Sequence, residues 1–184
     1  MQGYVDYPQS SNRGVCYCKD CQAFARFLGG GDILDEQGGT DVVQALPKNI
    51  HFTQGSEVLA CVRLRENGLL RWYARCCNTP IGNTPANFKV SYVGLIHNCL
   101  EGSGKSLGES FGPVRLRVNT KSARGTPKPE SMGFVPMVFR VLYTLLKARI
   151  DGSYRQTPFF ASGVPVATPR VLSREELARV MSAP

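Results

Sequence analysis

Residues 57–74 read Glu57-Val58-Leu59-Ala60-Cys61-Val62-Arg63-Leu64-Arg65-Glu66-Asn67-Gly68-Leu69-Leu70-Arg71-Trp72-Tyr73-Ala74, and their pattern decides the fold class. In the first run Val58, Ala60, Val62 and Leu64 alternate with Leu59, Cys61 and Arg63, the period of two that a pleated strand imposes on its side chains. Asn67-Gly68 divides this run from the second. That dipeptide tolerates the left-handed backbone of a tight turn, so the two runs predict an antiparallel hairpin. Val114-Arg115-Leu116-Arg117-Val118 alternates in the same way and predicts a half-exposed strand elsewhere in the sheet. A chain of 184 residues with 42% hydrophobic content can bury one real core. The expectation is a mainly β domain.

Downstream, the hairpin runs directly into Arg75-Cys76-Cys77-Asn78-Thr79-Pro80-Ile81-Gly82-Asn83-Thr84-Pro85. A strand end followed by Pro, Gly and Asn is a turn that can aim a ligand back at another loop. Read as extended, adjacent side chains point to opposite faces, so only one of Cys76 and Cys77 serves a given ion. Beside Arg75 the vicinal pair also permits a redox reading, through a lowered thiol pKa.

Upstream lies the strongest chemical signal, Gly14-Val15-Cys16-Tyr17-Cys18-Lys19-Asp20-Cys21-Gln22. Three cysteines within six residues form a C-x-C-x-x-C hook whose soft thiolates can converge on one small cation, with zinc the usual occupant. The expected metal set is Cys16, Cys18, Cys21 and, as fourth ligand, Cys77. If the fourth position instead belongs to exchangeable water, the site is a catalyst rather than a scaffold. Cys61 and Cys99 stand in apolar runs and read as small buried hydrophobes. His97 is a secondary candidate as ligand or proton carrier. Ala23 to Leu28 is a short apolar helix start ended by Gly29-Gly30-Gly31. Neither Gly38-Gly39 nor Gly102-Ser103-Gly104-Lys105-Ser106 completes a phosphate-loop pattern, so both read as turns.

Together, the triplet, the hairpin and the Cys77-Asn78-Thr79-Pro80 turn resemble the family of glutathione-dependent formaldehyde-activating enzymes and the related centromere protein V, over roughly residues 1–100. The resemblance implies a zinc-bearing, β-tent-like sheet fold in which Cys16, Cys18 and Cys21 hold the zinc near which a thiol adduct is handled. It implies carbon-sulfur lyase activity with a glutathione-aldehyde adduct as the substrate type. The family's second, structural zinc needs a further C-x-C and a C-x-x-C; here the latter reads Ala74-Arg75-Cys76-Cys77, so one zinc per chain is expected. Tyr17 also replaces the family's usual histidine. The alternative is a non-catalytic zinc module closed by Cys77.

The remaining chain is basic: residues 105–184 hold thirteen Lys/Arg against five Asp/Glu, whereas residues 1–104 hold nine of each. These cations are scattered without interleaved aromatics, so no specific nucleic-acid partner is expected. Lys121 to Pro129 reads as a linker, and Phe134 to Ile150 as a helix, apolar nearly all round, with a polar line through Arg140, Thr144, Lys147 and Asp151. It is too short and too charged to span a membrane. Packing across the β core or in a homodimer is expected, with contact at a membrane surface the alternative. Ser173-Arg174-Glu175-Glu176 is a capping box opening a last helix. The expected organisation is a zinc-binding β domain over 1–120 with a basic extension over 121–184 packed on it. Met1 to Asp6 shows no leader pattern, so a reducing, cytoplasmic setting is expected.

Overall fold

The structure, a computed structural model, describes residues 1–7, 12–100 and 104–182. Twelve strands occur among them: β1 (Gln2–Val5), β2 (Asn12–Cys16), β3 (Thr40–Ala45), β4 (Ile50–Gln54), β5 (Leu59–Arg63), β6 (Leu70–Ala74), β7 (Thr79–Thr84), β8 (Val93–Ile96), β9 (Val114–Val118), β10 (Phe160–Ala161), β11 (Val164–Pro165) and β12 (Arg170–Val171). The α-helices are α1 (Lys19–Phe27), α2 (Leu107–Phe111), α3 (Phe134–Ile150) and α4 (Arg174–Ser182). Eight strands form one mixed sheet in the order β12-β5-β6-β7-β8-β3-β2-β9. The chain is thus mainly β with helices toward its C-terminus.

The hairpin read from Asn67-Gly68 is β5–β6, antiparallel, with Leu59 opposite Ala74 and Val62 opposite Arg71. Its alternation sends side chains to two cores, one on each face of the sheet. On one face Cys61, Trp72, Val43 and Leu95 pack with Phe159 and Phe160 from the C-terminal part. Trp72 is fully buried, its ring 5.2 Å from that of Phe159, and its indole N–H donates to Thr84 Oγ1 at 2.9 Å. The opposite face, with Val62, Leu64 and Ile96, is covered by α1 and α4 through Phe24, Leu28 and Val180. Burying each such side chain contributes about 2 kcal/mol, and the two apolar layers hold the sheet between them.

Residues beyond 120 pack into this core. Phe159 is fully buried against Trp72, β12 pairs in parallel with β5, and Arg26 on α1 donates to the carbonyl of Val180 on α4 at 2.9 Å. Two expectations change. Cys76 and Cys77 are not in extended backbone: the amides of Cys77 and Asn78 both return to the Ala74 carbonyl, and Asn78 takes φ 56°, closing a tight turn. Gly102 and Ser103 lie outside the described residues, while Ser106, read as part of a turn, caps α2 through a reciprocal pairing with Glu109.

Candidate metal centre

The three cysteines of the hook sit where a strand becomes a helix. Cys16 is the last residue of β2 and is paired with Thr40 on one side and Val118 on the other. Cys18 is the N-cap of α1, with extended backbone at φ −65° and ψ 148°, and its sulfur accepts the Cys21 amide at 3.3 Å. Cys21 lies in the helix's first turn. Between them Tyr17 turns away into the core, 4% exposed, its hydroxyl donating to Asp35 Oδ2 at 3.3 Å. Strand end, cap and first turn therefore deliver three sulfurs to one place, all within 4.8 Å of one another. A zinc about 2.3 Å from each sulfur would set them roughly 3.8 Å apart, so small side-chain rotations complete the fit.

The surroundings favour thiolates here. The N-terminal end of α1 contributes a positive dipole and free amide donors, and Asn119 Nδ2 donates to Cys16 Sγ at 3.5 Å. Hydrogen bonds from the Cys18 and Cys21 side chains hold the Cys16 thiol far below its ordinary pKa. The same pairing raises Cys18 and pushes Cys21 well up. The first negative charge is thus shared easily, and the second and third need a cation.

Several groups around the hook carry no sequence signature. Thr40, directly across the β2–β3 ladder from Cys16, is 1% exposed, and its hydroxyl has no hydrogen-bond partner among the described residues. Cross-strand partners point to the same face, so this hydroxyl borders the thiolates. Tyr92 is pushed up to about 12 by burial first and then by the charges of Cys16 and Cys21, which keeps its phenol protonated at neutral pH. At Gly94 a Cβ would come within 2.8 Å of Val42 Cγ1, so the glycine leaves room for the Val42 side chain, with the Tyr92 oxygen in ordinary contact distance. On the same sheet face Arg71, 4% exposed, donates to Asn83 Oδ1 at 3.0 Å and lies 5.4 Å from the Phe24 ring, one helical turn from Cys21.

Cys77 is not brought to this cluster. It is exposed in the β6–β7 turn, its sulfur 3.1 Å from Thr79 Oγ1 and 3.6 Å from Cys76 Sγ, and hydrogen bonding with Thr79 lowers its pKa. In sheet order β8 and β3 stand between β7 and β2, a separation of roughly 14 Å at about 4.8 Å per strand. No side-chain rotation spans that gap. Among the described residues, no fourth His, Cys, Asp or Glu joins Cys16, Cys18 and Cys21. His97 Nε2 instead pairs with the Asp32 carbonyl at 3.1 Å. Cys61 is 3% exposed, and both it and Cys99, whose sulfur donates to the Ile81 carbonyl at 3.2 Å, are pushed up to about 12 by burial.

A family model described as a family of unknown function, DUF6151, matches residues 6–169. The chain belongs to this family. The DUF6151 match includes the whole cysteine hook, Thr40, Tyr92 and α3, and stops before β12 and α4. No curated protein and no solved structure matches the chain.

Proposed function

We propose that this DUF6151 protein is a zinc-dependent carbon-sulfur lyase that makes or breaks the adduct of a thiol, of the glutathione type, with an aldehyde. The observation that carries the reading is the three-sulfur count: Cys16, Cys18 and Cys21 converge without a fourth such ligand among the described residues. Structural zinc sites are closed by four protein ligands, and catalytic ones keep a position for substrate. The resemblance of the hook, the hairpin and the Cys77-Asn78-Thr79-Pro80 turn to the formaldehyde-activating enzymes supplies the substrate class.

Zinc, when bound by these thiolates, supplies a Lewis-acidic position that favours a thiol as its anion. In the breaking direction the adduct's hydroxyl gives its proton to solvent water, the oxygen forms the aldehyde carbonyl, and the carbon-sulfur bond opens with its electron pair leaving on sulfur as a thiolate. Thr40 Oγ1 has free hydrogen-bonding capacity to orient that hydroxyl. The Tyr92 phenol, held protonated, can donate a hydrogen bond toward developing charge without acting as base. The α1 cap holds Cys18 and Cys21 in fixed relation, so the ligands are pre-set.

Elemental analysis of protein purified without added metal tests the centre, with one zinc per chain expected. Cys18→Ser should release it, and Cys77→Ser should retain it. Zinc-loaded protein should then catalyse equilibration of glutathione with formaldehyde, followed by the NMR signals of the hemithioacetal. Loss of zinc in Cys77→Ser would restore the closed, non-catalytic module. Zinc retention without catalysis of any thiol-aldehyde pair would remove the lyase.

A further inference from the structure

Helix α3 leaves a broad apolar face uncovered. Val135, Phe139, Leu142, Tyr143, Leu146 and Ile150 are each more than half exposed, from 57% at Leu142 to 78% at Ile150. At 3.6 residues per turn these six share an arc of about 100°. The helix rests on the domain by its other side, where Ala148 is buried and Val141 and Thr144 are half-buried. Packing on the β core therefore covers one side of the helix only. Soluble monomers seldom leave so continuous an apolar stripe without a docking function.

Charge decides what the stripe fits. In helical projection Arg149 borders it on one side and Lys147 with Arg140 on the other, and the helix contains no Asp or Glu. Asp151, at its end, is turned to the Ser153 amide at 2.9 Å. Arg115 on the adjoining strand β9 is exposed as well. A second copy docked stripe to stripe would set these cations against identical cations, with no acidic side chain on either helix to answer them. No helix among the described residues is long and apolar enough to cross a membrane. We propose that α3 lies in the plane of an anionic lipid surface, its stripe among the acyl chains and its flanking cations at the headgroups.

Co-sedimentation with vesicles tests this, comparing phosphatidylcholine alone with phosphatidylcholine mixed with phosphatidylserine. The intact chain should pellet with the mixed vesicles and largely remain free of the neutral ones, and added salt should weaken the binding. Leu142→Asp should abolish binding while thermal melting and zinc content stay unchanged, because that side chain is exposed in the free protein. Lys147→Ala with Arg149→Ala should weaken binding about thirtyfold, given roughly 1 kcal/mol per cation at such a surface. Equal pelleting of the intact chain and Leu142→Asp would overturn the proposal. So would absence of vesicle binding alongside a dimer, seen by sedimentation equilibrium, that Leu142→Asp dissociates; the occupant would then be a second copy.

Discussion

A hydroxyl that is buried without a partner destabilises the fold that holds it, and Thr40 keeps such a group beside Cys16. Desolvating an unsatisfied hydroxyl costs about 1 kcal/mol or more. Thr40→Val keeps the shape and removes the group, so it should raise stability by about 1 kcal/mol, roughly 3 °C in melting temperature for a chain of this size. If the hydroxyl orients the adduct, the same variant should lose catalysis while keeping zinc. Calorimetry beside a rate assay checks both, and a less stable variant would take Thr40 out of the proposed site. The contrast with the hook shows what sequence can reveal. Cys16, Cys18 and Cys21 were legible because a strand end and the following helix cap are local in the chain. Thr40 was not, because only the register of β3 against β2 sets it opposite Cys16.

Whole elements were legible where their ends carry chemistry. Asn67-Gly68 marked the β5–β6 hairpin, and the apolar stretch from Phe134 to Ile150 matches the bounds of α3. Ser173 and Glu176 form the expected cap of α4, with the Glu176 amide donating to Ser173 Oγ at 3.1 Å and the Ser173 amide to Glu176 Oε2 at 2.9 Å. Ser173→Ala should cost about 1 kcal/mol, read from chemical denaturation. The Ser173 amide also lowers the Glu176 pKa, so the carboxylate's contribution is fully present above the unfolded carboxylate range and lost as pH falls through the folded value. A Glu176→Gln variant should accordingly show a flatter loss of stability on acidification. Two things could not be read from elements alone: the place of the β6–β7 turn, which Asn78 closes in a left-handed conformation so that the Pro/Gly/Asn stretch read as the turn is strand β7, and the side of α3 that the sheet leaves bare, because that is set by where β9 ends the sheet.

At the scale of the molecule, the cysteine cluster and the larger apolar layer lie on opposite faces of one sheet. Cys16 shares its face with Thr40 and the helix α1, while Trp72 and Phe159 pack on the other. Very small zinc domains unfold when stripped, because metal binding is then most of their folding free energy. Here two clusters of buried side chains stand without the ion, so chelation should lower the melting temperature without abolishing the cooperative transition. The single tryptophan of the sequence reports on this directly: Trp72 is fully buried, and its indole N–H is bonded to Thr84. After treatment with a chelator its emission should remain that of a buried indole, while hydrogen exchange should rise at the amides of Cys21 and Gln22, which close the first turn of α1 on Cys18. A shift of the emission to that of water-exposed tryptophan would mean that the metal organises both faces, and the hook would then be a structural keystone rather than a site seated on a fold that stands without it.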